Sequence, residues 1–161
     1  MEIERKYLVS HLPDNLSSYP HRIIEQGYLS TDPVIRIRKD GEKYELTYKS
    51  KGLMIREEYN LPLTQSSYEH LKPKIDGYLI TKERYNIPYN NYFTIELDCF
   101  LGDFSPLILA EVEFPDEASA NSFVPPDWFG KDVTFSPEYQ NSSLSQKARF
   151  ARSRPFFILQ D

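Results

Sequence analysis

Glu2-Ile3-Glu4-Arg5-Lys6 places Glu2, Glu4 and Lys6 at every second position, with Ile3 between the two acids. Successive side chains of a strand point to opposite faces, so this stretch sends its three spaced charges one way and Ile3 the other. The same spacing recurs downstream in Arg36 and Arg38, Lys49 and Lys51, Arg56 and Glu58, Lys82 and Arg84, Glu96 and Asp98, and Glu111 and Glu113. Apolar residues fill the clearest gaps: Ile37, Leu97 and Val112. A half-buried sheet with one solvated face would also alternate, but such a face mixes Thr, Ser, Lys and Glu. Here the pairs are largely sorted by sign, which points to ligands rather than to solubility.

Segments of strand length run at about 2–9, 23–30, 34–39, 43–50, 54–63, 78–87, 92–100 and 107–115. Asp32-Pro33, Asp40-Gly41, Asn90-Asn91 and Gly102-Asp103 supply turn chemistry between them, so most neighbours are expected to be antiparallel. Helical pattern is confined to about 65–75, with Tyr68, Leu71 and Ile75 on one face, to 117–123 after Asp116 as N-cap, and to 142–152. The expected fold is mainly β (α+β). Eight strands can close into a barrel, and with the apolar face outward under the few helices the charged face would line a wet interior.

The 161 residues, 40% hydrophobic and 14% aromatic, suit one domain over 1–161 with a real core, the tail from about Lys147 being the uncertain part. No stretch has the apolar run of a signal peptide or a membrane span, so the expectation is a cytoplasmic protein with no membrane partner. The net charge of −5 and the lack of a Lys/Arg block argue against nucleic acid as a partner. The lone Cys99 reads as a buried small hydrophobe, and His11, His21 and His70 as isolated surface residues.

The spaced charges comprise seven acids and eight bases, so the acidity of the chain lies elsewhere. Like charges gathered in a low-dielectric cavity repel unless compensated. Carboxylate pairs call for a hard cation such as Mg²⁺ or Mn²⁺, and Arg and Lys rows call for phosphate. A polyphosphate bridging metal ions and basic side chains satisfies both sets.

These residues resemble the CYTH superfamily, the triphosphate tunnel metalloenzymes. Glu2-Ile3-Glu4-Arg5-Lys6 is similar to the family's ExExK signature, and Arg36-Ile37-Arg38, Leu46-Thr47-Tyr48-Lys49, Arg56-Glu57-Glu58, Lys82-Glu83-Arg84-Tyr85, Glu96-Leu97-Asp98 and Glu111-Val112-Glu113 follow in the family's order. Trp128-Phe129-Gly130, Asp132-Val133-Thr134 and Tyr139-Gln140-Asn141-Ser142 also look like the short bacterial members. The tail with Pro155-Phe156-Phe157 has no assigned counterpart.

The resemblance implies an eight-stranded antiparallel β-barrel tunnel with a charged interior. It implies Glu2, Glu4, Glu96, Asp98, Glu111 and Glu113 as metal ligands, and Lys6, Arg36, Arg38, Lys49, Lys51, Arg56, Lys82 and Arg84 as phosphate ligands. Lys51 has a solvated loop lysine as its alternative reading. Glu58 is the candidate to orient the attacking water, with pairing to Arg56 and nearby lysines as the alternative.

By resemblance, the activity expected is metal-dependent hydrolysis of a small-molecule triphosphate, most like inorganic triphosphatase acting on tripolyphosphate and sometimes on nucleoside triphosphates. Class IV adenylyl cyclase and thiamine-triphosphatase are family alternatives, and a noncatalytic binder of phosphorylated ligands is another class. Cyclisation needs a base and ribose pocket that no residue pattern announces. A binder would gain nothing from acidic pairs opposite phosphate. Oligomeric state is left open.

Overall fold

The structure, a computed structural model, describes residues 1–146. The tail from Lys147, including Pro155-Phe156-Phe157, and most of the helix expected at 142–152 lie outside the described residues.

Ten strands and three short helices are present among the described residues. The strands are β1 (Glu2–Val9), β2 (His21–Thr31), β3 (Val34–Asp40), β4 (Lys43–Lys49), β5 (Ile55–Arg56), β6 (Glu58–Leu63), β7 (Asp76–Tyr89), β8 (Phe93–Phe100), β9 (Ile108–Glu113) and β10 (Phe129–Asp132). The helices are α1 (Gln65–Leu71), α2 (Glu117–Ser122) and α3 (Asn141–Leu144). The strands form one antiparallel sheet in the order β10-β1-β9-β8-β7-β2-β3-β4-β6, with β5 paired to β1.

The last pairing bends the sheet into a nearly closed barrel. β5 and β6 are separated only by Glu57, yet Arg56 stands opposite Glu2 of β1 while Glu58 stands opposite Lys49 of β4. At the changeover Glu57 donates its N–H to the Ser50 hydroxyl and accepts from the Ser50 N–H. The expected strand at 54–63 is therefore two strands, and β10, which the sequence reading omits, adds a tenth along β1.

The apolar face points outward, as the alternation requires. Ile95, Leu97, Ala110 and Val112 are fully buried beneath Phe114, Phe123, Trp128, Phe129 and Ala120 of α2. Asp116 caps α2, its carboxylate accepting from Ser119 N–H at 2.7 Å. Much of the cover is thus aromatic loop rather than helix. Elsewhere α1 buries Tyr68 against Tyr44, and Pro73 shortens the helix expected to reach residue 75, leaving a 3-10 turn over Lys72–Lys74.

The inward face changes character along the barrel. Leu8 and Phe100 follow the inward charges Lys6 and Asp98 by two residues, and Leu109 and Ile80 precede Glu111 and Lys82 by two, so all four face the same way as those charges. They form a second apolar cluster with Val133 and with Leu144 of α3. The charged lane consequently occupies one part of the interior rather than its whole length.

Two smaller expectations change. Cys99 is half-buried rather than buried, and His21, on β2, places Nδ1 2.8 Å from Glu83 and stacks on Tyr85 on the outer surface.

Candidate active site

Strand parity delivers the charges to one cavity of about 160 Å³. β1 contributes Glu2, Glu4 and Lys6, β9 contributes Glu111 and Glu113, and β8 contributes Glu96, so five of the lining acids come from three adjacent strands, with Glu45 of β4 and Glu58 of β6 across from them. The cations Lys82 and Arg84 come from β7, Arg36 and Arg38 from β3, and Lys49 from β4, with Arg56 and Glu58 at the β5–β6 changeover.

Lys51 and Asp98 do not line it. The alternation stops at Lys49, and Lys51 is exposed on the following turn, in an adjoining depression with Ser50, Gly52 and Leu53 that meets the cavity at Arg56 and Gln140. Gly52 has φ of 136°, and a Cβ there would collide with the Ile55 carbonyl. Asp98 sits behind the lining at 1% exposure. Arg84 donates to its two oxygens at 2.7 and 2.8 Å, and Lys82 lies 2.7 Å away. This buried cluster holds the Asp98 carboxyl below the ordinary range: burial pushes it up, but Arg84 and Lys82 outweigh that.

Most lining acids already have cations. Lys49 Nζ lies 3.1 Å from Glu2 and 3.4 Å from Glu58, and Arg56 is 3.8 Å from Glu2. Glu111 meets Lys6 at 3.4 Å and Arg84 at 3.0 Å, and Arg84 reaches Glu96 at 3.2 Å. Burial raises the Glu111 carboxyl, but Lys6, Lys82 and Arg84 together bring it well below the usual value.

Glu4 and Glu113 are different. Like the lining Glu45 of β4, neither takes part in an ion pair among the described residues. Burial, with Glu111 and Glu2 close by, pushes Glu4 up to about 8. Burial and the charges of Glu2, Glu58 and Glu96 also raise Glu113, which is exposed at the edge of the cavity.

Neutral residues that the charge pattern could not reveal complete the lining or, as with Thr47 and Gln26, back it from behind. Arg36 Nη2 donates to Thr47 Oγ1 at 3.0 Å, and that hydroxyl donates to Asn60 Oδ1 at 2.6 Å, while Arg36 Nε has no hydrogen-bond partner among the described residues. Gln26, fully buried, accepts from Arg38 Nε and Nη2 at 2.8 and 2.6 Å. Gln140, Asn141 and Ser142 close one side from the C-terminal segment. A signal for Gln26 did exist: β2 is the one expected strand without a charge pair, and Gln26 is its polar residue between Ile24 and Tyr28 at strand spacing.

Comparison with known proteins places this geometry. A family model described as the CYTH domain matches residues 1–151. The chain belongs to the CYTH domain family. This CYTH chain is 42% identical over 148 residues to an inorganic triphosphatase of Nitrosomonas europaea, covering 89% of this chain and 96% of that protein. It is 38% identical over 149 residues to an inorganic triphosphatase of Acetivibrio thermocellus, covering 89% and 92%. The crystal structure of an inorganic triphosphatase superposes with a TM-score of 0.69 at 38% identity, over 91% of this CYTH chain and 95% of that one. A Hippeastrum protein at 16% identity shares the fold, with a TM-score of 0.55 over 75% and 83% of the two chains. No helix among the described residues is long and apolar enough to cross a membrane.

Proposed function

We propose that this CYTH protein hydrolyses inorganic tripolyphosphate to pyrophosphate and orthophosphate, using Mg²⁺ or Mn²⁺, inside a charged tunnel. The observation that carries the reading is the lining: apart from Tyr28 and Val34, every residue around the cavity is polar or charged. A linear triphosphate finds cations from several strands there, whereas a nucleobase or thiazolium ring finds almost no apolar surface. The curated relatives named inorganic triphosphatase, similar over nearly their full length, support the same substrate class.

The donor set fits a hard divalent cation. Glu4 and Glu113 offer carboxylate oxygens that repel other acids and lack an ion-paired cation among the described residues, and Glu111, Glu2 and Glu96 stand close enough to disturb one or both of them. No three His, Cys, Asp or Glu side chains among the described residues form a ready-made centre, so substrate phosphate oxygens and water would complete the coordination. The bound cation would neutralise phosphate charge and lower the pKa of a coordinated water.

The rest falls to the chain. Arg36, Arg38, Lys49, Arg56 and Arg84, with Lys6 and Lys82, bind and align the phosphate oxygens, and their charges stabilise negative charge on the group being transferred. Water attacks the terminal phosphorus, the bridging P–O bond breaks, and pyrophosphate leaves. Glu58, close to Lys49 at the strand changeover, is the carboxylate proposed to orient that water. Cations turned inward leave nucleic acid without a basic outer surface, and the single-cysteine, acidic sequence fits a cytoplasmic setting.

The deciding experiment compares orthophosphate release from tripolyphosphate, ATP and thiamine triphosphate with Mg²⁺ or Mn²⁺, together with product analysis. The highest kcat/KM is expected for tripolyphosphate. Cyclic AMP from ATP with tripolyphosphate untouched would replace the reading with a cyclase, and tight binding without turnover would replace it with a binder.

A further inference from the structure

Tyr139-Gln140-Asn141-Ser142 resembles the family in sequence, yet the hydrolytic reading gives it no task. In the structure this segment reaches the cavity from outside the barrel. Asn141, the first residue of α3, accepts two hydrogen bonds through Oδ1: from Lys82 Nζ at 3.1 Å and from Gln26 Nε2 at 3.0 Å. Two donors fill the two lone pairs of one amide oxygen.

The Gln26 amide then has only one workable orientation. Its oxygen faces the Arg38 guanidinium, which donates twice, and its nitrogen faces Asn141. Reversing it would set donor against donor at Arg38 and oxygen against oxygen at Asn141. The side chain of Asn141 therefore touches Lys82 directly and Arg38 through one rigid amide. These two cations belong to different strands, β7 and β3, on either side of β2.

The segment is anchored well enough to act as a reference point. Leu144 is buried in the second apolar cluster, and the Ser145 carbonyl accepts from Tyr78 N–H at 2.7 Å. Gly77 permits that approach: its φ is 69°, and a Cβ there would collide with the Ser145 carbonyl. Without Asn141, Lys82 would keep Asp98 at 2.7 Å as its partner and be drawn toward the wall.

We propose that Asn141 is a positioning residue that, from the C-terminal segment, sets Lys82 and through Gln26 sets Arg38 for triphosphate binding. The inference rests on the triphosphate reading of the cavity. It concerns affinity first, since Asn141 acts on groups that hold phosphate.

The test is a double-mutant cycle of Asn141→Ala and Lys82→Met. Binding of sodium diimidotriphosphate, a linear triphosphate whose two bridging oxygens are replaced by NH so that it resists hydrolysis, is measured by calorimetry with Mg²⁺, and tripolyphosphate turnover is measured in parallel. Asn141→Ala should weaken analogue binding about 10-fold, the scale of a lost hydrogen bond to a charged group. In turnover it should raise KM more than it lowers kcat. In the Lys82→Met background the same change should cost about threefold or less, because coupled residues are non-additive. Where the Ala variant fails to fold, Asn141→Ser keeps a short polar side chain at the start of α3 and serves in the same cycle.

Equal effects in both backgrounds, or wild-type affinity in the single variant, would overturn the inference. A wild type that binds the analogue without turnover would overturn the hydrolytic reading and leave the cycle standing. A wild type that binds nothing would overturn both.

Discussion

Glu4 and Glu113 stand directly opposite each other across the β1–β9 ladder. Like charges so paired are destabilising, and burial adds to the cost at Glu4. Activity and stability should therefore move in opposite directions here. Glu4→Gln and Glu113→Gln should each fold at least as well as the wild type in EDTA, read by thermal unfolding. Both should lose about 10-fold or more in activity and need more metal for half-maximal rate. Full activity at unchanged metal demand would remove them from the metal site.

Asp98 should behave in the opposite way. Asp98→Ala leaves Lys82 and Arg84 buried without their shared carboxylate, and breaking such a pair costs about 3–5 kcal/mol. Chemical denaturation is the measurement. A variant as stable as the wild type, with raised metal demand, would return Asp98 to the metal ligands.

Arg36 and Lys51 test the boundary of the phosphate site. Arg36 is buried at the cavity, with Nη2 held by Thr47 and Nε without a partner among the described residues, so Arg36→Ala should lower kcat/KM for tripolyphosphate about 10- to 100-fold, as expected for a lost charge-assisted contact. Lys51→Ala, on the exposed turn, should stay within about twofold, since surface charges contribute little. Equal losses in the two variants would mean that the site extends over that turn.

Asp132 gives a pH test away from the cavity. Its carboxylate accepts from Thr134 Oγ1 at 2.6 Å and Thr134 N at 2.9 Å, and Arg5 Nη2 donates to it at 2.7 Å. Burial pushes the carboxyl up, but these bonds win and hold it below 3.8. A depressed folded pKa stabilises above the unfolded value and is lost as pH falls through the folded one. Asp132→Asn should thus be less stable than the wild type near neutral pH, by about 1 kcal/mol or less given its solvent exposure. The gap should shrink as pH drops below about 4. Unfolding midpoints across that range decide it, and a gap independent of pH would assign the bonds no protonation-dependent value.

Period-two charge made most of the barrel legible, because parity alone decides which face a strand residue occupies. It did not reveal partners. Glu96 and Asp98 share the same parity on β8, yet Asp98 is enclosed by Arg84 and Lys82 and Glu96 reaches the cavity. β10 escaped notice because Phe129-Gly130-Lys131-Asp132 is too short to establish an alternation. The break at Glu57 depends on which neighbour each half meets, and no local pattern encodes that. Gln26, Thr47, Asn60 and Asn141 gain no role from the charge pattern, because uncharged polar residues carry no sign to sort.

β1 is synthesised before its partners β5, β9 and β10, so Glu2 meets Arg56 while Leu8 waits for Leu109 and Tyr7 for Asp132. At about 5 to 20 residues per second, a ribosome needs on the order of 5 to 20 s between making Leu8 and making Leu109. During that interval the apolar end of β1 has no ladder to join. Contacts this remote in sequence also slow folding once the chain is released. The signature that delivers three charges to the cavity is therefore the part of the chain that spends longest without its final neighbours, and the strand most in need of protection while the protein is being made.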